Sequence, residues 1–310
     1  MNDLIVNEIC LRKLHKYPDK IKRFEIGHGN YVYKISFSKD KFVIRINTGE
    51  DVYKDTIYWL DKLMVLGIPV PRVISSGSYN GLSYLILNYI PGKDLGIVYG
   101  DLSDSQKQLI AKEIVNIQNK VATFPKNLGY GYLSSYEDKG YKNTWKEVIL
   151  EHLQRSRTRI QENKVFDSRK VDKVEKLLER YDNYFSSIEP IPFLDDLSSK
   201  NVLVHDGKLS GVIDIDFVCF GDRIYNVGYT KMALMSLDYD TKYIDFMIYE
   251  MKLSSLEKEV LILYSLCFCV DFMGERGMKI KDKVIKVDEK EIKRLNGAYE
   301  KMYRELIGGF

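Results

Sequence analysis

Pro91-Gly92 divides the chain into two textures, and this break constrains the fold more than any other feature. Ahead of it, apolar and polar residues repeatedly alternate. Behind it, bulky residues recur at helical spacing. "YVYKISFSKDKFVIRI", Tyr31 to Ile46, alternates on either side of "SKD" and predicts a hairpin of two strands. "EDVYKDTIYWLDKLMVLG" carries its bulky residues at helical intervals and ends at Gly67, a C-cap residue. "IPVPRVISSG" is extended, because each proline disfavours helix at itself and at the residue before it. "LSYLILNYIPG" is an apolar strand stopped by Pro91 and Gly92. The segment up to Gly92 therefore predicts strand, strand, helix, strand, strand.

Beyond Gly92, "SDSQKQLIAKEIVNIQNKVATF" opens on Ser103 as an N-cap and reads as an amphipathic helix. Helical stretches follow around "TWKEVILEHLQRSRTRIQEN" and "DSRKVDKVEKLLERYDNYFSSI". A short hairpin, "NVLVHDGKLSGVIDI", turns at Asp206-Gly207, and helices run from there to the C-terminus. "KIKDKVIKVDEKEIKR" reads as a solvated loop and helix face. The expected class is α+β. A small β-rich N-terminal lobe, residues 1–91, joins a large, mainly helical C-terminal lobe, residues 92–310, through a hinge at Asn88 to Gly92. With 310 residues, 45% of them hydrophobic, the chain has ample core for such a pair of lobes.

Charge excludes some partners. The formal net charge is only +3, and the 23 tyrosines form no stacking platform among basic residues, so neither nucleic acid nor a membrane is expected. No apolar run approaches the roughly 18 residues of a membrane span. The N-terminus "MNDLIVNEICLRKLHKY" contains acids and lacks the layout of a signal peptide. Cys10, Cys219, Cys267 and Cys269 are scattered among apolar residues, as buried, reduced thiols are. A cytoplasmic protein, monomeric or weakly dimeric, is the expectation.

The chemistry concentrates in "FLDDLSSKNVLV", Phe193 to Val204. Asp196 and Asn201 stand in D-x-x-x-x-N spacing, and the hairpin that follows returns Asp214 at the end of an apolar strand. A phosphoryl-transfer site needs a carboxylate to take a hydroxyl proton and oxygen ligands that hold magnesium against phosphates. Asp196, Asn201 and Asp214 supply that set. The spacing by itself also fits a polar turn bonded to its own backbone. "GVIDIDFVCFGD" weighs against that reading, because a carboxylate ending an apolar strand is costly unless a cation meets it. Upstream, the glycines of "GHGNYVYKI" let backbone N–H groups approach phosphates. Arg45, inside the strand "FVIRIN", faces either solvent or an anion. Asp271 and Glu275, acids on an otherwise apolar helix, are either buried ion-pair partners or the lining of an acceptor pocket. His28, His152 and His205 read as surface or loop residues.

Together these segments resemble the aminoglycoside phosphotransferase and choline kinase-like family, small-molecule kinases that share the protein-kinase fold. The likeness runs in order from about Phe24 to Gly228, through "GHGNYVYKI", "VIRI", "WLDKL", "IPVPRVI", "YLILNYIPG", "DLSSKNVLV" and "GVIDIDFVCFGD". The resemblance implies Asp196 as catalytic base and Asn201 and Asp214 as magnesium ligands. It implies Arg45 against the nucleotide phosphates, with Gly27, His28, Gly29 and Asn30 covering them. Asn88, Tyr89 and Ile90 would be the hinge that meets the purine, with Leu87 behind it.

Three positions depart from the family pattern. Leu194 stands where a structural histidine is usual. Asp195 stands directly before the base, where two adjacent carboxylates repel and raise one pKa. Tyr53 stands where a helix glutamate would pair with the strand cation, leaving Asp55 as the acid expected to do so. Asp195, Asp271 and Glu275 are the candidates for acceptor contact. The implied activity is magnesium-dependent transfer of the γ-phosphate of ATP or GTP to a small-molecule hydroxyl, with an aminoglycoside or macrolide antibiotic as first acceptor. A sugar or amino-alcohol kinase, or a nucleotide-binding protein without transfer activity, is the alternative.

Overall fold

The computed structural model describes residues 3–24, 30–280, 283–285 and 287–308. Helix α1 (Asp3–Leu14) precedes strands β1 (Lys20–Phe24), β2 (Tyr31–Ser36) and β3 (Lys41–Asn47). Helix α2 (Lys54–Val65) leads on to β4 (Val73–Tyr79) and β5 (Leu82–Asn88). The strands form one antiparallel sheet in the order β1-β2-β3-β5-β4. The period of two along β3 and β5 divides their side chains between two cores. Ile44, Ile46, Tyr84 and Ile86 pack against Val6, Ile9 and Cys10 of α1. Leu85 and Leu87 belong instead to the larger core with Trp59, Leu60 and Leu63 of α2. Arg45 pairs with Leu85 in the β3–β5 register and so faces α2 rather than α1.

The predicted strand–strand–helix–strand–strand run is present, with two elements added before it. β1 was missed because "KIKRF" has no apolar run. It is an edge strand with no fully buried residue, and its lysines blunt that edge. Helix α1 closes the outer face of the sheet. Gly67 follows the C-cap of α2 at φ 65, where its N–H reaches Met64 O at 2.9 Å and Ile68 N–H reaches Leu63 O at 3.2 Å. That pair of bonds is a Schellman ending, which requires the left-handed backbone that glycine adopts freely.

The chain then crosses β6 (Lys93–Asp94) and α3 (Leu95–Val98) to α4 (Asp104–Val121), whose Ser103 and Gln106 form a capping box. Strand β7 (Gly131–Leu133) and helices α5 (Trp145–Asn163), α6 (Arg169–Leu178) and α7 (Asp182–Ser187) follow. Four short strands come next: β8 (Pro192–Phe193), β9 (Val202–His205), β10 (Lys208–Val212) and β11 (Val218–Phe220). Helices α8 (Ile224–Ser236), α9 (Lys242–Met251) and α10 (Ser255–Glu275), the β12 (Lys279–Ile280) and β13 (Lys283–Val284) pair, and α11 (Glu289–Gly308) complete the chain. The mixed-charge run was expected as a solvated loop and helix face; its described residues include the β12–β13 strand pair and the first turns of α11.

α10 is buried from Val260 to Gly274, and such a helix, apolar on every side, is the central pillar of this part. Two three-stranded sheets, β10-β9-β6 and β7-β11-β8, lie where the N-terminal sheet meets the helices. The first ties the chain leaving β5 to the β9–β10 hairpin, and Val212 N–H adds a bond to Pro69 O at 2.9 Å. The four cysteines are buried and unpaired. No helix among the described residues is long and apolar enough to cross a membrane.

Candidate active site

The segment between β8 and β9 carries Leu194 to Asn201. α4 and α8 hold its backbone. Gln118 accepts from Leu194 N–H at 2.9 Å and donates to Leu194 C=O at 2.6 Å. Asn226 donates to Asp195 C=O at 2.7 Å. Within the loop, Ser198 Oγ donates to Asp196 Oδ1 at 2.7 Å, and the Asn201 side chain donates to Asp196 C=O at 3.0 Å. That last bond engages the nitrogen end of the Asn201 amide and leaves its oxygen end as an acceptor. Asp206 (φ 49) and Gly207 (φ 73) make the turn expected of Asp-Gly, and the returning strand lets Ile213 N–H bond Asn201 C=O at 2.9 Å. Asp214 follows with φ 62, a conformation that costs a non-glycine residue energy and tends to persist at functional sites.

The electrostatics separate four carboxylates. Burial, then the neighbouring Asp196 charge, pushes Asp195 up to about 7. Burial pushes Asp196 up to about 6, with Asp214 adding to the rise against hydrogen bonds from Ser198 and Asn201. Asp214 is raised by burial, partly offset by Arg45. Asp216 goes the other way: burial alone would raise it, but the Arg45 charge and hydrogen bonds from Arg45 and Thr56 hold it below the usual range. The loop thus gathers acids that repel one another, which is an arrangement suited to a cation. Among the described residues no three His, Cys, Asp or Glu side chains form a metal cage. Magnesium is commonly held by one or two protein oxygens together with phosphate and water, so the accessible Asp214 carboxylate and the Asn201 amide oxygen fit it.

Arg45 is 6% exposed, which decides its two open readings in favour of an anion. Its Nη2 lies 2.9 Å from Asp216 Oδ2 and 3.5 Å from Asp214 Oδ1. The expectation that Asp55 pairs with Arg45 is corrected here. Asp55 sits half-buried in the first turn of α2, and that helix meets the same network through Thr56, whose Oγ1 donates to Asp216 Oδ1 at 2.7 Å. Tyr53 OH turns instead to Asn30 Oδ1 at 2.9 Å, where Asn47 Nδ2 also donates at 2.9 Å. Gly27, His28 and Gly29 lie outside the described residues. Leu87 is buried on the α2-facing side of β5. Asn88 N–H bonds Arg72 O at 3.1 Å, Tyr89 N–H bonds Lys41 O at 3.2 Å, and Ile90 is half-buried beside the β9–β10 hairpin.

Of the acceptor candidates, Asp195 lines one small cavity together with Asp196, Asp214 and Phe217. Asp271 is a buried ion-pair centre: its Oδ1 lies 3.2 Å from Arg159, 3.4 Å from Arg155, 3.4 Å from His152 Nε2 and 3.1 Å from Ser156 Oγ. Glu275, half-buried on the same helix, is raised by burial and then by Asp271. His152 is not a surface residue; it is buried between Asp271 and Tyr225 OH. Tyr132 and Phe217 had drawn no attention as single aromatics. Tyr132 pairs with Cys219 in the β7–β11 register and interacts electrostatically with Asp195, and Phe217 lines the small cavity with Asp195; the two are 43% and 47% exposed. Thr56, Gln118 and Asn226 were also missed as contributors. Asp216 was legible, with Asp222, as an added acid in the same turn as Asp214.

The sequence profile described as "Phosphotransferase enzyme family" matches residues 20–245. "Hygromycin-B 4-O-kinase" of Escherichia coli is 20% identical over 252 residues, 77% of this chain and 70% of that protein. "Probable ketoamine kinase" of Staphylococcus aureus is 27% identical over 135 residues, 41% of this chain; the match spans only 44% of that relative's length. Among solved structures, a thermostable mutant of aminoglycoside phosphotransferase APH(4)-Ia in its apo form superposes with a TM-score of 0.73 at 18% identity. The alignment covers 98% of this chain and 100% of that one. The same protein in ternary complex with AMP-PNP and hygromycin B gives 0.71. The common fold is a kinase-like antiparallel sheet followed by a mainly helical part.

Proposed function

The chain belongs to the phosphotransferase enzyme family, and from that premise we propose that it moves the γ-phosphoryl group of ATP or GTP to a hydroxyl of a small molecule. Residues 1–91 and 92–310 act as two lobes about the Asn88–Gly92 hinge. The purine lies against Asn88, Tyr89 and Ile90, in front of Leu87, and Gly27, His28, Gly29 and Asn30 cover the phosphates. Asp196 orients the acceptor hydroxyl and takes its proton, and Arg45 neutralises phosphate charge. Asn201 and Asp214 would hold magnesium, which would supply charge neutralisation for the phosphates. One observation carries this reading. The Asn201 amide is fixed on the Asp196 backbone while a buried arginine meets the acid pair at Asp214 and Asp216.

An aminoglycoside or macrolide is the first acceptor, in line with the relative named for hygromycin B. A specific observation favours a second, a sugar-like metabolite such as a ketoamine. A polycation calls for a strongly acidic wall, yet Asp271 is neutralised by Arg155 and Arg159, and Asp195 is pushed up to about 7. The half-exposed rings of Tyr132 and Phe217 offer apolar surface to a sugar face.

The test is nucleotide-dependent thermal stabilisation, followed by a phosphotransfer screen against aminoglycosides, macrolides, ketoamines, sugars and amino alcohols. Stabilisation by magnesium-ATP or magnesium-GTP and one phosphorylated class are expected. No stabilisation by either nucleotide sinks the kinase reading. Stabilisation with no product in any class makes the chain a nucleotide-binding protein without transfer.

A further inference from the structure

Arg45 is an almost fully buried cation on β3, and such a group persists only where a carboxylate and hydrogen bonds replace its water. The first turn of α2 supplies no carboxylate to it. Tyr53, whose hydroxyl bonds Asn30, meets Arg45 through its ring face, 5.4 Å from the guanidinium carbon, and through its hydroxyl, and brings no carboxylate. The carboxylate comes instead from Asp216 in the loop between β10 and β11. Both of its oxygens are engaged, Oδ2 by Arg45 at 2.9 Å and Oδ1 by Thr56 of α2 at 2.7 Å. Asp214, two residues earlier, differs. Its side chain is 58% exposed against 38% for Asp216, and its single contact with Arg45 is long, at 3.5 Å. One acid is open to an incoming ion, and the other is already committed to protein donors.

We infer that Asp216 is a positioning residue for nucleotide phosphates. By bridging Arg45 and Thr56 it locks the guanidinium, the first turn of α2 and the Asp214 loop into one unit. This rests on the proposed role of Arg45 toward phosphate. The bridge aims a positive charge at the phosphates and does not touch the base, so its loss weakens phosphate-bearing ligands and spares the nucleoside. Thr56 acts in the same unit, so its effect is not additive with that of Asp216.

The experiment is calorimetric titration of the full chain with ADP and with adenosine, each with and without magnesium. Asp216→Asn is expected to weaken ADP binding about tenfold in the absence of magnesium, the scale of one lost charge-assisted hydrogen bond, and to leave adenosine unchanged. Asp216→Glu is expected to regain most of that loss, since it keeps the carboxylate. Thr56→Val gives a smaller loss of ADP affinity and adds little to Asp216→Asn. If the wild-type chain binds neither ligand, the functional reading falls and the bridge with it. If it binds both and Asp216→Asn leaves ADP untouched, the bridge alone is overturned. A loss seen only with magnesium also overturns it, by making Asp216 a metal ligand. If Asp216→Asn does not fold, Thr56→Val decides: unchanged ADP affinity refutes the bridge.

Discussion

Gln118 makes to Leu194 the two hydrogen bonds that a neighbouring strand would otherwise make, taking the N–H on its side-chain oxygen and giving its amide N–H to the carbonyl. The position where a structural histidine was expected is therefore held by its backbone, from α4. Its side chain is free to be apolar, and Leu194 is 2% exposed within the main core. A departure that put catalysis in question is thus matched by a different anchor for the same loop.

Gln118→Leu strips both bonds from buried groups. At about 1–3 kcal/mol for each of the two buried groups left unsatisfied, a loss of about 2–6 kcal/mol is expected in urea unfolding. Turnover should fall by at least about tenfold while nucleotide affinity holds, because the loop carrying Asp196 loses its fixed geometry. Unfolding indistinguishable from wild type would show that the clip carries no weight.

Asp196→Asn keeps the shape and removes the base. Turnover is expected to fall by about 10²–10⁴, the usual contribution of a positioned general base, with ADP affinity changed less than about twofold. Slow nucleotide hydrolysis that survives this substitution unchanged would falsify the assignment.

Asp214→Ala removes the accessible carboxylate of the proposed ion site. At a hundredfold excess over Kd, magnesium-nucleotide should stabilise the wild type by about 2.7 kcal/mol. The variant should lose most of that shift and keep whatever metal-free nucleotide provides. Equal melting shifts for the two proteins would remove Asp214 from the site.

Asp271 gives a stability signature in acid. Burial alone would raise its carboxyl, but His152, Arg155 and Arg159 outweigh it and hold the group well below the usual carboxylate range. A carboxyl depressed on folding contributes stability that is complete above its unfolded value of about 3.9 and is lost as pH falls through the folded value. Asp271→Asn should therefore be less stable than wild type by about 3 kcal/mol at pH 7, the scale of a broken buried pair. The gap should shrink once the pH drops below about 3.9. A gap independent of pH would mean that the cost is one of packing rather than charge.

Much of the fold was legible because it is written in short-range patterns. The β2–β3 hairpin, the Gly67 ending, the Ser103 cap and the Asp206-Gly207 turn each depend on residues within a few positions of one another. The loop from Asp196 to Asn201 and the return to Asp214 were legible for the same reason. β1 escaped because an edge strand needs no apolar face, and His152 escaped because a lone polar residue on a helix does not announce its partners.

The sequence by itself determined most of the segments that become strand or helix, and which acids share one hairpin, because backbone preference and turn chemistry act locally. Only the tertiary structure decided what those acids do to one another. Arg45 meets Asp216 rather than Asp55, Gln118 grips Leu194, and three basic side chains converge on Asp271. These contacts join residues far apart in the chain. A buried charge is compensated by whichever partner the folded core brings within a few ångströms, and no local pattern records that choice.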